Sequence, residues 1–148
     1  MSKKPEFADL FFSKTKDFLD IFLKSQEQRS ADTIKAYRIS LSSFYKYVTE
    51  VKEMKVMHFC FSDCTYEFVL SYSQYLQEAQ KLANSTVNQR LAALKSYLKY
   101  VSDGDIGLMQ IYMAVQKVPL LKTPKLQRPV IEKEDLKALK KELEELRK

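Results

Sequence analysis

Turn-forming residues are scarce in this sequence: 148 residues contain two glycines and four prolines. A fold of many short strands needs turn signals about every 8–12 residues, so the scarcity excludes sandwiches and barrels and favours long helices. One histidine, His58, excludes most acid–base and triad schemes, which depend on that side chain. It sits between Met57 and Phe59 and reads as a packed or surface residue. The only glycines, Gly104 and Gly107, rule out a glycine-rich phosphate loop. Cys60 and Cys64, in Cys-Phe-Ser-Asp-Cys, cannot supply four metal ligands with only His58 nearby, and read as free cytosolic thiols. No apolar run approaches the roughly 20 residues that cross a bilayer, and Met1-Ser2-Lys3-Lys4-Pro5 lacks the features of a signal peptide. The expectation is a cytoplasmic protein with no catalytic site, no metal and no cofactor.

What is present is a core and a charge asymmetry. Hydrophobic residues make up 45% and charged residues 30%, which suits one globular domain and not a disordered chain. The formal net charge is +6, and all of it is local. Residues 1–80 and 130–148 are each balanced, whereas residues 81–129 hold eight basic and two acidic side chains. A localised surplus is the kind of field that attracts phosphate.

Apolar spacing predicts five helices. The first covers about Glu6 to Ser25, with Leu10, Phe11, Phe18, Leu19, Phe22 and Leu23 inward. The second, about Ala31 to Val51, follows an N-cap at Ser30 and buries Ile34, Tyr37, Leu41, Phe44 and Val48. A connector with His58-Phe59-Cys60-Phe61 leads to a Ser62 cap and a third helix, about Asp63 to Gln80, with Val69, Tyr72, Leu76 and Ala79 inward. The fourth, about Thr86 to Asp103, carries Val87, Leu91, Leu94, Leu98 and Val101 on one face. The fifth, about Ile106 to Lys117, is apolar nearly all round and must be buried by something. Three prolines (Pro119, Pro124 and Pro129) interleave with Lys122, Lys125 and Arg128 in an extended basic linker. A further amphipathic helix then begins, with Leu136, Leu139, Leu143 and Leu146 at helical spacing. The division is therefore a helical domain over 1–117, a linker over 118–130, and the start of a second, truncated domain over 131–148.

Two helices carry polar stripes beside their apolar faces. At about 100° per residue, Asn88, Ala92, Lys95 and Lys99 share a stripe of the fourth helix. A small residue permits close approach to a duplex, an amide can read a base edge, and lysines neutralise phosphates. Ser85 and Thr86 begin the helix, where free N–H groups suit a phosphate oxygen. The second helix offers Lys35, Arg38, Ser42 and Lys46, with Thr33 near its start. Such stripes are also ordinary solvated helix faces. Arg90 lies beside the apolar stripe, placed either to cap the core edge or to hold an acid such as Asp63.

These residues resemble a family. Ser30-Ala31-Asp32-Thr33-Ile34-Lys35-Ala36-Tyr37, continued by Leu41 and Phe44, resembles the S-x-x-T-x-x-x-Y helix of the core-binding domains of tyrosine recombinases, the phage-integrase type. Ser85-Thr86-Val87-Asn88-Gln89-Arg90-Leu91-Ala92-Ala93-Leu94-Lys95-Ser96-Tyr97 is similar to the T-v-N-x-R-L-a-a-L helix of the same domains. Ile131-Glu132-Lys133-Glu134-Asp135-Leu136 falls where the catalytic domain would open. The resemblance implies an all-α, four-to-five-helix SAM-like bundle that grips a recombination half-site, with the second and fourth helices against the major groove. It makes Thr33, Lys35, Arg38, Ser42, Thr86, Asn88, Arg90, Lys95 and Lys99 candidates for touching DNA, with Lys122 and Lys125 on the linker. It implies double-stranded DNA and other recombinase protomers as partners, with the first and fifth helices packing between protomers, or the fifth onto its own bundle. The family's catalytic arginines, lysine, His-x-x-Arg and nucleophilic tyrosine would belong to a following domain, so this chain is expected to bind and not to cut. The rival reading is a helical protein–protein interaction module, docking through Ile106–Val115, with the basic stripe incidental. A small enzyme would need a site built from scattered acids and tyrosines.

Overall fold

A computed structural model describes residues 6–123. The proline-rich segment after Thr123, with Lys125, and the expected helix over 131–148 lie outside the described residues. The described chain is all helical, without a strand. Helix α1 runs from Thr15–Asp17 straight on into the wide-turned Phe18–Gln26. Helix α2 spans Ala31–Lys46 and ends in a wide turn, Tyr47–Val51. Helix α3 is Tyr66–Glu78, α4 is Asn84–Gly104, and α5 is Met109–Gln116, entered through the tight turn Ile106–Leu108.

The first helix starts later than its apolar pattern suggests. Phe7–Asp9 and Phe11–Lys14 are short 3-10 turns, separated by Leu10 in an extended conformation. Leu10 and Phe11 are adjacent and both buried. Extended backbone at Leu10 lets it bridge to Cys60, while the Phe11 N–H donates to the Phe59 carbonyl at 2.9 Å. Phe11 thereby enters a cage of Phe12, Phe44, Phe59, Phe61 and Tyr97, with ring centroids 4.8–5.5 Å away. Edge-on and tilted pairs at that spacing suit the ring quadrupoles. The buried Tyr97 hydroxyl donates to the Phe11 carbonyl and accepts the Lys14 N–H at 3.2 Å. One phenol thus ties α4 to the turn that opens the chain.

Caps decide the other boundaries. Ser30 caps α2 as its sequence indicates, accepting the Thr33 N–H at 3.2 Å. Helix α3 is capped by Thr65, which accepts the Phe68 N–H at 3.1 Å, and not by Ser62. Ser62 lies inside the turn Phe61–Asp63, where the Asp63 carboxylate takes the Cys60 N–H at 2.9 Å. Because α3 stops at Glu78, Ala79 is exposed and not inward. Three helices end without glycine. Gln28, Glu53 and Lys81 adopt φ of 51–54°, and the next residue's N–H reaches back to Leu23, Val48 and Leu76 at 2.8–3.0 Å. These left-handed caps close the carbonyl ends of α1, α2 and α3. That is how a chain with two glycines makes its turns.

The core is one cluster fed by every helix, and α4 crosses it with Val87, Leu91, Leu94, Tyr97, Leu98 and Val101 buried. Helix α5 is less covered than its composition suggests. Val115 is buried and Ile111 and Tyr112 are half-buried, but Ile106 and Met113 are 87% and 57% exposed. No helix among the described residues is long and apolar enough to cross a membrane.

Two outcomes follow from this core. Phe11→Ala should cost about 3–5 kcal/mol in urea unfolding, whereas Phe7→Ala, at an exposed position, should stay within about 0.5 kcal/mol. A small loss at Phe11 would mean that the aromatic cage does not anchor the opening turn. Burial pushes the Tyr72 hydroxyl up to about 12, with Ser43 bonded to it at 2.7 Å partly opposing the shift. In an unfolded chain the same group ionises near 10. Tyr72 therefore contributes stability that is intact below about pH 10 and lost as pH climbs towards about 12. Tyr72→Phe should flatten that alkaline fall; an unchanged slope would exclude Tyr72 as its source.

Candidate nucleic-acid interface

Helices α2 and α4 are the most closely associated pair in the bundle. Small residues on the facing surfaces permit this: Ala36 and Ser40 from α2 meet Ala92 and Ala93 from α4, along a shallow groove of about 250 Å³ edged by Thr33 and Gln89. Tyr37 Oη lies 3.5 Å from Ser96 Oγ across the same seam. The helices run antiparallel, because the Arg90 end of α4 lies beside Lys46, near the carboxyl end of α2.

That end holds a basic cleft. Arg38, Ser42, Ser43 and Lys46 from α2, Gln80 from the end of α3 and Arg90 from α4 line a cleft of about 420 Å³. Three cations enter it, and no acid lines it. Arg38 also reaches Asp20 on α1 at 3.6 Å, an exposed pair of small energetic weight. Arg90 is different. It is half-buried, and its Nε is buried without a hydrogen-bond partner among the described residues. Asp63, a possible partner on sequence grounds, is instead committed to the Cys60 N–H. A buried guanidinium nitrogen with nothing to donate to costs free energy until an acceptor arrives. Planar donors beside hydroxyls and a second cation suit a tetrahedral oxyanion.

The candidates named from the sequence fall into three places. Arg38, Ser42 and Arg90 share the cleft, joined by Lys46. Lys35 is exposed on α2, and Thr33 is half-buried at the groove edge, its hydroxyl accepting from Ser30 at 2.9 Å. Thr86 is half-buried in the first turn of α4. Lys99 is exposed and lies 3.5 Å from Asp103 one turn on. Asn88 and Lys95 have partners on the chain itself. Asn88 Nδ2 donates to the Leu121 carbonyl at 2.8 Å, and its Oδ1 accepts the Leu121 N–H at 2.7 Å. Lys95 Nζ donates to the Val118 carbonyl at 2.6 Å, and burial lowers its pKa. The expected reading amide and one expected phosphate lysine are thus occupied by the start of the linker. Lys122 is exposed, and its carbonyl accepts from Asn84 at 2.8 Å.

Sequence reasoning missed Ser43 and Gln80 in the cleft, Asn84 on the linker side, and Gln89, an exposed amide on the groove. Asn84 was findable, since it shares the Asn88 stripe at i and i+4. Gln80 was not, because nothing local says where the end of α3 lies. Among the described residues no group of histidine, cysteine, aspartate or glutamate could hold a metal ion. Both cysteines are free, and burial pushes the Cys64 thiol far up, into an inert state.

A known family's model, the phage integrase SAM-like domain, matches residues 14–116, from the start of α1 to the end of α5. The chain belongs to the phage integrase SAM-like family. The chain is also similar to a tyrosine recombinase XerC of Roseiflexus sp. (strain RS-1), 30% identical over 89 residues. That match takes in 58% of this chain and 26% of the relative, so the chain corresponds to about a quarter of the recombinase. No solved structure matches the chain significantly. The family assignment fits the all-helical bundle. In this SAM-like domain a cleft lined by three cations and no acid lies where α2, α3 and α4 converge.

The orphaned Arg90 yields a direct check. Arg90→Met should leave urea stability within about 0.5 kcal/mol of the parent, because the buried Nε it removes has no hydrogen-bond partner among the described residues. Inorganic phosphate should raise the thermal midpoint of the parent and not that of the variant. Equal responses in both proteins would show that the cleft does not hold the anion.

Proposed function

We propose that this SAM-like chain is the DNA-gripping domain of a tyrosine recombinase and that it lays α2 and α4 against the duplex of a recombination half-site. The observation that carries the reading is the cleft lined by no acid and containing Arg38, Lys46 and Arg90, whose buried Nε has no hydrogen-bond partner among the described residues. It supplies charge, donors and concavity where the two helices meet, which is what a phosphate on a duplex rim requires. On the same two helices Lys35 and Lys99 are exposed, Thr33, Ser42 and Thr86 add hydroxyls, and Lys122 begins a basic linker sequence that continues with Lys125. The shallow groove with Ala36, Ala92 and Gln89 lets backbone come close, so this face suits DNA better than a protruding one would.

The division follows the same reading: a binding domain over residues 1–117, a linker over 118–130, and the opening of a second domain over 131–148. In such a protein the DNA is broken and rejoined by residues outside this chain's binding helices, and the chain by itself binds without cutting. Other recombinase protomers would be its protein partners, in the cytoplasm. The exposed Ile106, in the turn before α5, and Met113 on α5 favour a second use, as a protein-docking face. That reading differs in being indifferent to charge on α2 and α4.

Fluorescence anisotropy with a random-sequence duplex across a salt series tests the proposal. The chain should bind with Kd in about the 10⁻⁴–10⁻⁶ M range and weaken steeply with salt. Removing both Lys46 and Arg90 should lower the slope of log affinity against log salt by about two units, one for each phosphate no longer neutralised. Absence of binding at low salt would sink the DNA reading and leave the interaction module standing.

A further inference from the structure

Three polar side chains on one flank of α4 hold the chain's own departing strand. Asn84, Asn88 and Lys95 meet the backbone of Lys122, Leu121 and Val118 in reverse order, so the strand runs antiparallel to the helix. The dimensions agree. Eleven residues of α-helix rise about 16 Å, and four extended residues cover about 13 Å. Four hydrogen bonds of 2.6–2.8 Å connect them, one of which carries the Lys95 charge. Asn88 is the centre of the arrangement, because an amide offers donor and acceptor together and so satisfies both the N–H and C=O of a single residue outside regular structure. Apolar burial reinforces the polar bonds. Val118 is 1% exposed and Leu121 is half-buried against the core cluster, while the intervening Pro119 and Leu120 are exposed to solvent.

We propose that Asn84, Asn88 and Lys95 form a rail that docks residues 118–122 and so fixes the place and direction in which the polypeptide leaves the bundle. These three are positioning residues. Asn88 and Lys95 face the exit strand and not DNA. The strand leaves beside the first turn of α4, the same end of the helix that carries Arg90. A duplex held in the Arg90 cleft and the exit strand over residues 118–122 are thereby placed in a defined relation by one helix. The docking itself does not rest on DNA binding.

Residue-resolved hydrogen exchange on the 148-residue chain, read by NMR, tests the rail. The Leu121 amide should be protected, although it lies outside any helix. Asn88→Leu removes both bonds and should speed Leu121 exchange at least tenfold, with the amides of Leu94 and Leu98 unchanged as a check on folding. Asn88→Asp keeps the acceptor for the Leu121 N–H and should restore part of the protection. Leu121 exchanging at the free-chain rate in the parent, or keeping its protection in Asn88→Leu, would overturn the proposal. The salt slope with a random-sequence duplex supplies the second readout. Lys95→Met should leave it unchanged, whereas Lys46→Met should lower it by about one unit. A drop of one unit at Lys95 would return that residue to the DNA face and overturn its place in the rail. If the parent binds no duplex at all, the DNA reading fails and the exchange result alone decides the rail.

Discussion

A helix has one circumference, and α4 uses all of it. One sector, around Val87, Leu91, Leu94 and Leu98, is buried in the core. The next, through Ala93 and Arg90, meets α2 and the end of α3. On the opposite flank Asn84, Asn88 and Lys95 carry the exit strand. The outward sector, through Ser85, Gln89 and Lys99, is exposed to solvent. Because successive residues are separated by about 100°, these duties must alternate along the sequence. Rotating the helix by one residue would disturb all of them. The rotation is held by Tyr97, whose hydroxyl is tied to the Phe11 carbonyl in the aromatic cage.

The same constraint explains what was legible in the sequence. The core stripes of α2 and α4 could be read directly, because burial of a helix face imposes a 3.6-residue period that no other requirement shares. Ser30 was legible as a cap for a similar reason: its partner is three residues away. The opening turn was not. Leu10 and Phe11 look helical by period, but their positions are set by Cys60 and Phe59, some 50 residues distant. The order and spacing of the degenerate motifs around Ser30 and Thr86 carried the family, since they sum many weak local preferences over most of the chain.

The site was legible in composition and only partly in assignment. The stripe Asn88, Ala92, Lys95, Lys99 is a real surface feature, but a period cannot tell what lies opposite it. The linker bonded to Asn88 is 33 residues away in sequence. Its prolines and lysines mark it as extended and basic, which suggests a tether before it suggests a strand seated on α4. Arg90 was ambiguous from the opposite direction. Its place at the edge of the apolar stripe fits a core cap, and only the positions of Lys46 and Gln80 reveal a cleft with no acid.

Charge position, more than charge sum, separates the roles. The surplus over residues 81–129 contains Lys95, which is partly desolvated on a carbonyl, and Lys99, which has Asp103 one turn away. Residues 1–80 are neutral in sum, yet they supply Arg38 and Lys46 to the cleft while several of their acids lie elsewhere, such as Asp63 on Cys60. A balanced segment thus contributes two of the three cations in that cleft. Coulomb interaction at a few ångströms far exceeds that across a screened Debye length of about 8 Å, so the local arrangement sets the field in the cleft. Net charge locates the right half of the molecule only approximately; the convergence of α2, α3 and α4 makes three dispersed cations one site.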